Sequence, residues 1–226
     1  MNYPLSQRDV PWVPPELADA DGFVGVGGDL SPRTLLRAYA EGVFPWFGED
    51  DPILWWSPDP RAIIELKGPE PYGGLHVSRR LARTLRSGKF RITYNHCFAQ
   101  VIRCCGENRP EGTWITPAMI EAYLELHRLG FAHSVESWVG DTLAGGVYGV
   151  ALGGFFAAES MFYRVSDGSK VALAALVQHL RQRGFVLLDV QMTTPHTERM
   201  GAINIPRSEF LQRLRLAVRL TDVQFV

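Results

Sequence analysis

The chain has 226 residues, 46% of them hydrophobic and 21% charged, with a formal charge of −1. That length suits one large domain or two small ones, and the composition excludes an intrinsically disordered chain. No apolar run approaches the ~18–20 residues of a membrane span, and the start MNYPLSQRDVPWVPPEL has no signal core. Cys97, Cys104 and Cys105 lack the spacing of a zinc site and the even count of a disulfide framework, so a cytosolic protein is expected.

Residues 1–21 are Pro-rich and polar and read as an extended arm. Gly25, Gly27 and Gly28 then predict a tight turn. Asp29 or Ser31 caps a helix with Pro32 at its first position, Leu35, Leu36 and Tyr39 on its apolar side and Gly42 at its end. The G-x-G-G run lacks the full G-x-G-x-x-G pattern, so a dinucleotide site is rejected. Five aromatics follow between residues 44 and 56, broken up by Pro45 and Pro52, with Pro58 and Pro60 beyond. The prolines forbid a long regular element. Most of the aromatics are expected in the core, with one or two left to face a ligand.

The near-zero net charge hides a segregation. From Pro71 to Gly106 there is no Asp or Glu, and Arg79, Arg80, Arg83, Arg86, Lys89, Arg91 and Arg103 give +7. Residues 1–70 hold twelve acids against five bases, a balance of −7. Residues 107–226 hold twelve acids against eleven bases, a balance of −1. Within the basic segment, Ser78 caps a helix over 78–89. Arg79, Arg83 and Arg86 share one face of it, and Leu81 and Leu85 the opposite one. An isolated basic face is often merely solvated. The 36 residues without an acid point instead to a polyanion, for which a phosphate backbone is the usual candidate.

Beyond it, Thr116 caps a helix that starts at Pro117 and closes at Gly130. Strands are predicted over Phe131–Val139 and Leu143–Val150, joined by the hairpin signal Gly140-Asp141, and over Phe155–Phe162. A helix from Gly168 or Ser169 to Arg183-Gly184, a strand over Phe185–Gln191 and a helix over Pro206–Arg219 complete the chain. This order predicts an α+β or α/β layer.

Two positions stand out chemically. Asp189 and Gln191 lie two apart in an otherwise apolar strand, so strict alternation puts them on one face, at a cost unless they are partnered. Glu159 sits among apolar neighbours in GGFFAAESMFYR, which makes it a paired or a pocket carboxylate. Ser160 lacks the G-x-S-x-G elbow of a hydrolase serine, and His196 has no evident partner.

FPWF, ILWWSPDPRA, EGTWIT, AHSVESW, GGVYGV, ESMF, SK, DVQ and H-T-x-x-x-G-A-x-x-I-P-R occur in that order between about Gly22 and Leu214. With these motifs the chain resembles the leucyl/phenylalanyl-tRNA–protein transferases, aminoacyl-transferases of the bacterial N-degron pathway. The resemblance implies an N-acetyltransferase-like C-terminal domain (71–226, with the basic helix 78–89) and a smaller N-terminal α/β domain (1–70, with the aromatic FPWF and WW loop). It implies transfer of Leu or Phe, less often Met, from aminoacyl-tRNA to proteins beginning with Arg or Lys, which marks them for degradation. No metal or coenzyme is implied, because the ester is already activated, and neither is a membrane. The chain is expected to act as a monomer.

By the same resemblance, Asp189 and Gln191 lie at the reacting ester. Asp189 accepts charge or a proton directly or through Gln191, whose amide is no useful base and orients the amine. Trp46 and Trp114 stack around the terminal adenosine. Glu159 bonds the adenosine or the incoming N-terminus. Val147, Phe156, Met161 and Leu188 are the candidates for the apolar aminoacyl pocket. Thr194 belongs to the substrate site, standing where some relatives have Asn, and Val147 stands where some have Met. Arg79, Arg80, Arg83, Arg86 and Lys89 are expected to bind tRNA. The acidic run Glu49, Asp50 and Asp51 is a candidate attractor for a basic N-terminus.

Two rivals have clear signatures. A coenzyme-A acetyltransferase should show a Q/R-x-x-G-x-G/A turn, but Arg164–Lys170 has one Gly. A non-catalytic RNA- or peptide-binding module leaves the polar pair Asp189 and Gln191 unexplained.

Overall fold

The computed structural model describes residues 10–107 and 112–226. The first nine residues of the expected arm and Glu111 of EGTWIT lie outside the described residues. From Val10 onward the arm packs rather than extends freely. Trp12 is buried against Trp55, with ring centroids 4.7 Å apart, and its indole N–H donates to Glu41 at 2.9 Å.

The N-terminal elements are β1 (Phe23–Val26), α1 (Pro32–Ala40), β2 (Phe44–Pro45), β3 (Leu54–Trp56) and β4 (Arg61–Ile64). Ser31 caps α1, accepting from the Thr34 N–H. Gly25 is not in a turn: it pairs with Trp55 inside β1, and Gly27 and Gly28 follow the strand in left-handed conformations, at φ +87° and +79°. Strands β1, β3 and β2 form a small antiparallel sheet, each short, as the prolines require.

The middle of the chain forms α2 (Arg79–Arg86), β5 (Arg91–Tyr94), α3 (Phe98–Gly106) and α4 (Pro117–Arg128). The rest forms β6 (Ala132–Val139), β7 (Thr142–Leu152), β8 (Phe155–Tyr163), α5 (Gly168–Gln182), β9 (Leu187–Gln191), α6 (Pro195–Arg199), β10 (Ile203–Ile205) and α7 (Arg207–Ala217). Helices and strands expected from periodicity recur within a few residues of their predicted ends. The structure adds β1 to β5, α3, α6 and β10.

A seven-stranded sheet runs β10-β4-β9-β8-β7-β6-β5, antiparallel except for β8 and β9. Strand β4 lies between β10 and β9, so this sheet draws one strand from before residue 71. The arrangement is mixed α+β. Helix α5 and the apolar side of α2 cover one face through Leu81, Val171, Leu176 and Leu180. Helices α3, α4 and α7 cover the other through Phe98, Tyr123 and Phe210. The start of α5 lies hard against β7. A Cβ on Gly145 would come within 2.5 Å of the Gly168 backbone, and the Ser137 hydroxyl donates to the Gly168 carbonyl at 2.9 Å. Among the described residues no helix is long and apolar enough to cross a membrane.

Candidate active site

The site forms where the parallel ladder ends. β8 and β9 pair from Phe155 with Leu187 to Ala157 with Asp189, and no further. Both strands continue past that point, and both bulge there. Against β7, Tyr148 pairs with Ser160 and Gly149 with Ala158, leaving Glu159 as the extra residue. Against β4, Ile63 pairs with Asp189 and Ala62 with Gln191, leaving Val190 as the extra residue. Bulges re-aim side chains that strict alternation would send elsewhere. Gln191 also has φ +57°, a left-handed conformation that costs a residue with a Cβ roughly 1–2 kcal/mol.

A chain of polar contacts holds this geometry. Arg61 is 1% exposed and Asp189 0%. The guanidinium donates from Nε to Asp189 Oδ1 at 2.9 Å and from Nη2 to Oδ2 at 2.7 Å. Its Nη1 donates to the Gly42 carbonyl at 3.0 Å, and the group lies over the rings of Phe44 and Phe210. Asp189 Oδ1 also accepts from the Gln191 backbone N–H at 2.9 Å, which pins the left-handed residue. The Gln191 amide Nε2 then donates to Glu159 Oε1 at 3.2 Å. The Tyr123 hydroxyl donates to Glu159 Oε2 at 3.2 Å and shares a hydrogen bond with the Tyr39 hydroxyl.

Glu159 is the titratable group of this chain. Burial pushes its carboxyl up to about 7, with the Asp189 charge adding to the rise and the tyrosines and Arg61 opposing it. Burial, reinforced by the charge of Glu159, also holds both tyrosines well above the ordinary phenol value. They therefore stay protonated and able to donate.

Two cavities meet at Glu159. One, about 250 Å³, is lined by Phe44, Trp46 and Trp114. The other, about 210 Å³, is lined by Val147, Met161 and Leu173, with Thr197 at its edge. They share Glu159, Val190, Gln191, Met192 and Thr194. One cavity therefore offers aromatic faces and the other an aliphatic and thioether lining, with a carboxylate and an amide between them. Among the described residues no group of three or more His, Cys, Asp or Glu is placed to hold a metal ion.

The expected site residues divide accordingly. Trp46, 41% exposed, and half-buried Trp114 line the first cavity; Val147 and Met161 line the second; Glu159, Gln191 and Thr194 line both. Phe156 and Leu188 do not line either. They lie in the core under α5, with Phe156 stacked on Phe225, because they fall before the point where β8 and β9 part. Asp189 does not line a cavity either: the bulge at Val190 breaks the alternation that would have aimed it beside Gln191. Arg79, Arg80, Arg83, Arg86 and Lys89 are all exposed, on α2 or just beyond it, as the helical pattern requires. Arg80 is tied to Asp167 at 2.7 Å. Glu49, Asp50 and Asp51 lie exposed on the loop between β2 and β3.

Arg61, Tyr39, Tyr123 and Leu173 were not singled out from the sequence. Arg61 stands within ILWWSPDPRA, where a basic residue between prolines and an apolar strand was the available signal. The tyrosines and Leu173 looked like ordinary helix-face residues, and only the tertiary fold brings them to Glu159 and its cavity.

The chain matches the family described as Leucyl/phenylalanyl-tRNA protein transferase over residues 71–215, and that family's N-terminal domain over residues 28–59. The leucyl/phenylalanyl-tRNA–protein transferase of Anaeromyxobacter sp. (strain Fw109-5) is 55% identical over 93% of this chain and 88% of its own length. That of Magnetococcus marinus is 54% identical over 96% of this chain and 92% of its own. Solved structures similar to this chain include a GCN5-related N-acetyltransferase from Kribbella flavida. It is 10% identical, with TM-score 0.40 over 76% of this chain and 60% of that one. Matched over most of its length by this family and by relatives more than half identical to it, the chain belongs to the leucyl/phenylalanyl-tRNA–protein transferases and is an aminoacyltransferase.

Proposed function

We propose that this chain takes Leu or Phe, and less readily Met, from aminoacyl-tRNA and joins it to the N-terminal amine of proteins that begin with Arg or Lys, creating a degradation signal. The observation that carries the reading is the pair of cavities meeting at Glu159 and Gln191. The terminal adenine stacks in the aromatic cavity against Trp46 and Trp114, an interaction worth ~1–3 kcal/mol per base. The aminoacyl side chain enters the apolar cavity past Val147 and Met161. That leaves the ester carbonyl between them, beside the Gln191 amide.

The acceptor amine attacks the ester carbonyl as the free base. A C–N bond forms, the ester C–O bond breaks, the amine loses a proton and the 3′ oxygen of the adenosine gains one. Glu159, whose carboxyl is pushed up to about 7, is suited to hold that proton between the two steps near neutral pH. Asp189, with both oxygens engaged by Arg61 and the Gln191 N–H, acts as a positioning residue through Gln191. Holding ester and amine together supplies much of the rate for so good an acyl donor.

The test is transfer of labelled leucine from charged tRNA to two peptides that differ only in beginning with Arg or Ala. Label on the Arg peptide alone is expected. Label on neither, with charged tRNA still bound, would leave a binding module and remove the roles given to Glu159 and Gln191. Equal label on both would remove the acceptor rule.

A further inference from the structure

A third cavity, about 240 Å³, opens on the other side of α6 from the aminoacyl cavity. The two are neighbours along the same elements. Thr197 of α6 and Leu173 of α5 line the aminoacyl cavity, whereas His196 and Arg199 of α6 and Lys170 of α5 line the third. His76 and Ser78, the N-cap of α2, complete its polar wall, over a floor that includes Leu81 and Met200. No carboxylate lines it. Asp167 lies close by, but it is shared between Arg80 at 2.7 Å and Lys170 at 3.6 Å. Arg199 makes no ion pair among the described residues.

We infer that this cavity seats a phosphate group of the single-stranded 3′ end of the aminoacyl-tRNA, an inference that rests on the proposed transfer reaction. The chemistry of the wall matches a phosphodiester. Lys170 and Arg199 bring two permanent positive charges, and arginine and lysine both bind phosphate well. Ser78 Oγ accepts from the Leu81 N–H, which leaves its own O–H to donate. The wall also includes the start of α2, whose free N–H groups favour an anion. The His196 imidazole is held below its ordinary value, first by burial and then by the charges of Lys170 and Arg199, so part of the shift comes from positive charge at the cavity. An anion seated there would relieve it.

The placement suits one continuous strand. Helix α6 has five residues and so is about 7.5 Å long, and with its side chains about 10 Å across. A single strand is more extended than the ~3.4 Å step of a duplex strand, so that distance is at most two or three nucleotides. From the third cavity the exposed arginines of α2 continue away from Ser78, so a strand that leaves the cavity on that side meets the basic helix.

The test compares two truncated donors, a leucyl-adenosine without any 5′ phosphate and a leucylated CCA trinucleotide, with Lys170→Gln/Arg199→Gln against the parent. The expected result is a KM on the trinucleotide raised about tenfold in the variant, with the leucyl-adenosine used alike by both. In the parent, the free CCA trinucleotide should raise the imidazole pKa of His196, followed by NMR. Ser78→Ala, which keeps the charges, should give a smaller loss of the same kind. Equal use of the trinucleotide by parent and variant would overturn the inference. So would an equal loss on both donors, which marks a structural role. Displacement of the trinucleotide by micromolar coenzyme A would assign the cavity to another phosphate ligand and overturn it too. Failure of the parent on both donors and on full-length charged tRNA would instead remove the transfer reaction itself.

Discussion

Arg61 and Asp189 form a two-pronged ion pair with contacts of 2.9 and 2.7 Å, sealed from solvent between β4 and β9, and the carboxylate also holds the backbone of Gln191. The pair links the strand that carries the amide to the strand that follows the aromatic loop. It thereby sets the spacing of Trp46 and Gln191 across the first cavity.

Breaking one half of such a pair leaves a buried charge and costs ~3–5 kcal/mol, whereas an apolar replacement of both halves is often close to neutral. Asp189→Asn should therefore lower stability by about that amount and reduce transfer. Arg61→Met/Asp189→Leu should regain most of the stability and none of the activity, because nothing then pins the left-handed Gln191. Denaturant unfolding and single-turnover transfer, run on both variants, check this. Recovery of the rate in the double variant would reduce the pair to a packing element.

Glu159 ties activity to stability with opposite signs. Its carboxyl rises from an ordinary 4.5 to about 7 on folding, so the folded protein binds more protons than the unfolded one between those values. Stability contributed by the protonated group is present below about pH 4.5 and is lost as pH rises through about 7. Glu159→Gln should raise stability at pH 8 by on the order of 1–3 kcal/mol and leave it nearly unchanged at pH 4.5. The single-turnover rate of the parent should rise with pH through about 7, and in the variant the rise should shift to the titration of the acceptor amine alone, near ~8. A thermal melt and a rate profile across pH 5–9 read both effects.

How much of this was legible follows from the length of the pattern. The helices at Pro32–Ala40, Pro117–Arg128 and Gly168–Gln182 each span several turns, the first two with a side-chain cap, so their periodicity speaks clearly. Strand β4 has four residues and α6 five, and neither is long enough to show a period. In the site, Glu159, Asp189 and Gln191 announced themselves as polar residues in apolar strands. Which of them faces a cavity did not follow, because the answer lies in two bulges that break the alternation on which such reasoning depends. Phe156 and Leu188 were misplaced for a related reason: they pair one residue before the last rung of the parallel ladder, a position that composition does not encode.

The aminoacyl cavity has a size that discriminates. At about 210 Å³, lined by Val147 and Met161, it has room that a longer side chain at 147 would fill. Val147→Met should reduce transfer of Phe about tenfold more than transfer of Leu, since an apolar pocket sorts such side chains by ~1–3 kcal/mol of shape. Competition between the two charged tRNAs in one reaction measures the ratio directly. An unchanged ratio would move the side chain out of this cavity.

The arginines of α2 should not contribute equally to tRNA binding. Arg83 and Arg86 are exposed and make no ion pair among the described residues, whereas Arg80 is engaged with Asp167 at 2.7 Å. A side chain that neutralises a duplex phosphate steepens the dependence of log K on log salt by about 0.9. Arg83→Gln/Arg86→Gln should therefore flatten that slope by nearly 2 and weaken binding most at low salt. Arg80→Gln should flatten it by less, because Arg80 must leave a carboxylate to reach a phosphate. Leucyl-adenosine, too small to reach α2, should be used as well by both variants as by the parent. Filter binding of charged tRNA from 50 to 300 mM salt gives the slopes, and equal slopes for parent and double variant would place the tRNA backbone on another face.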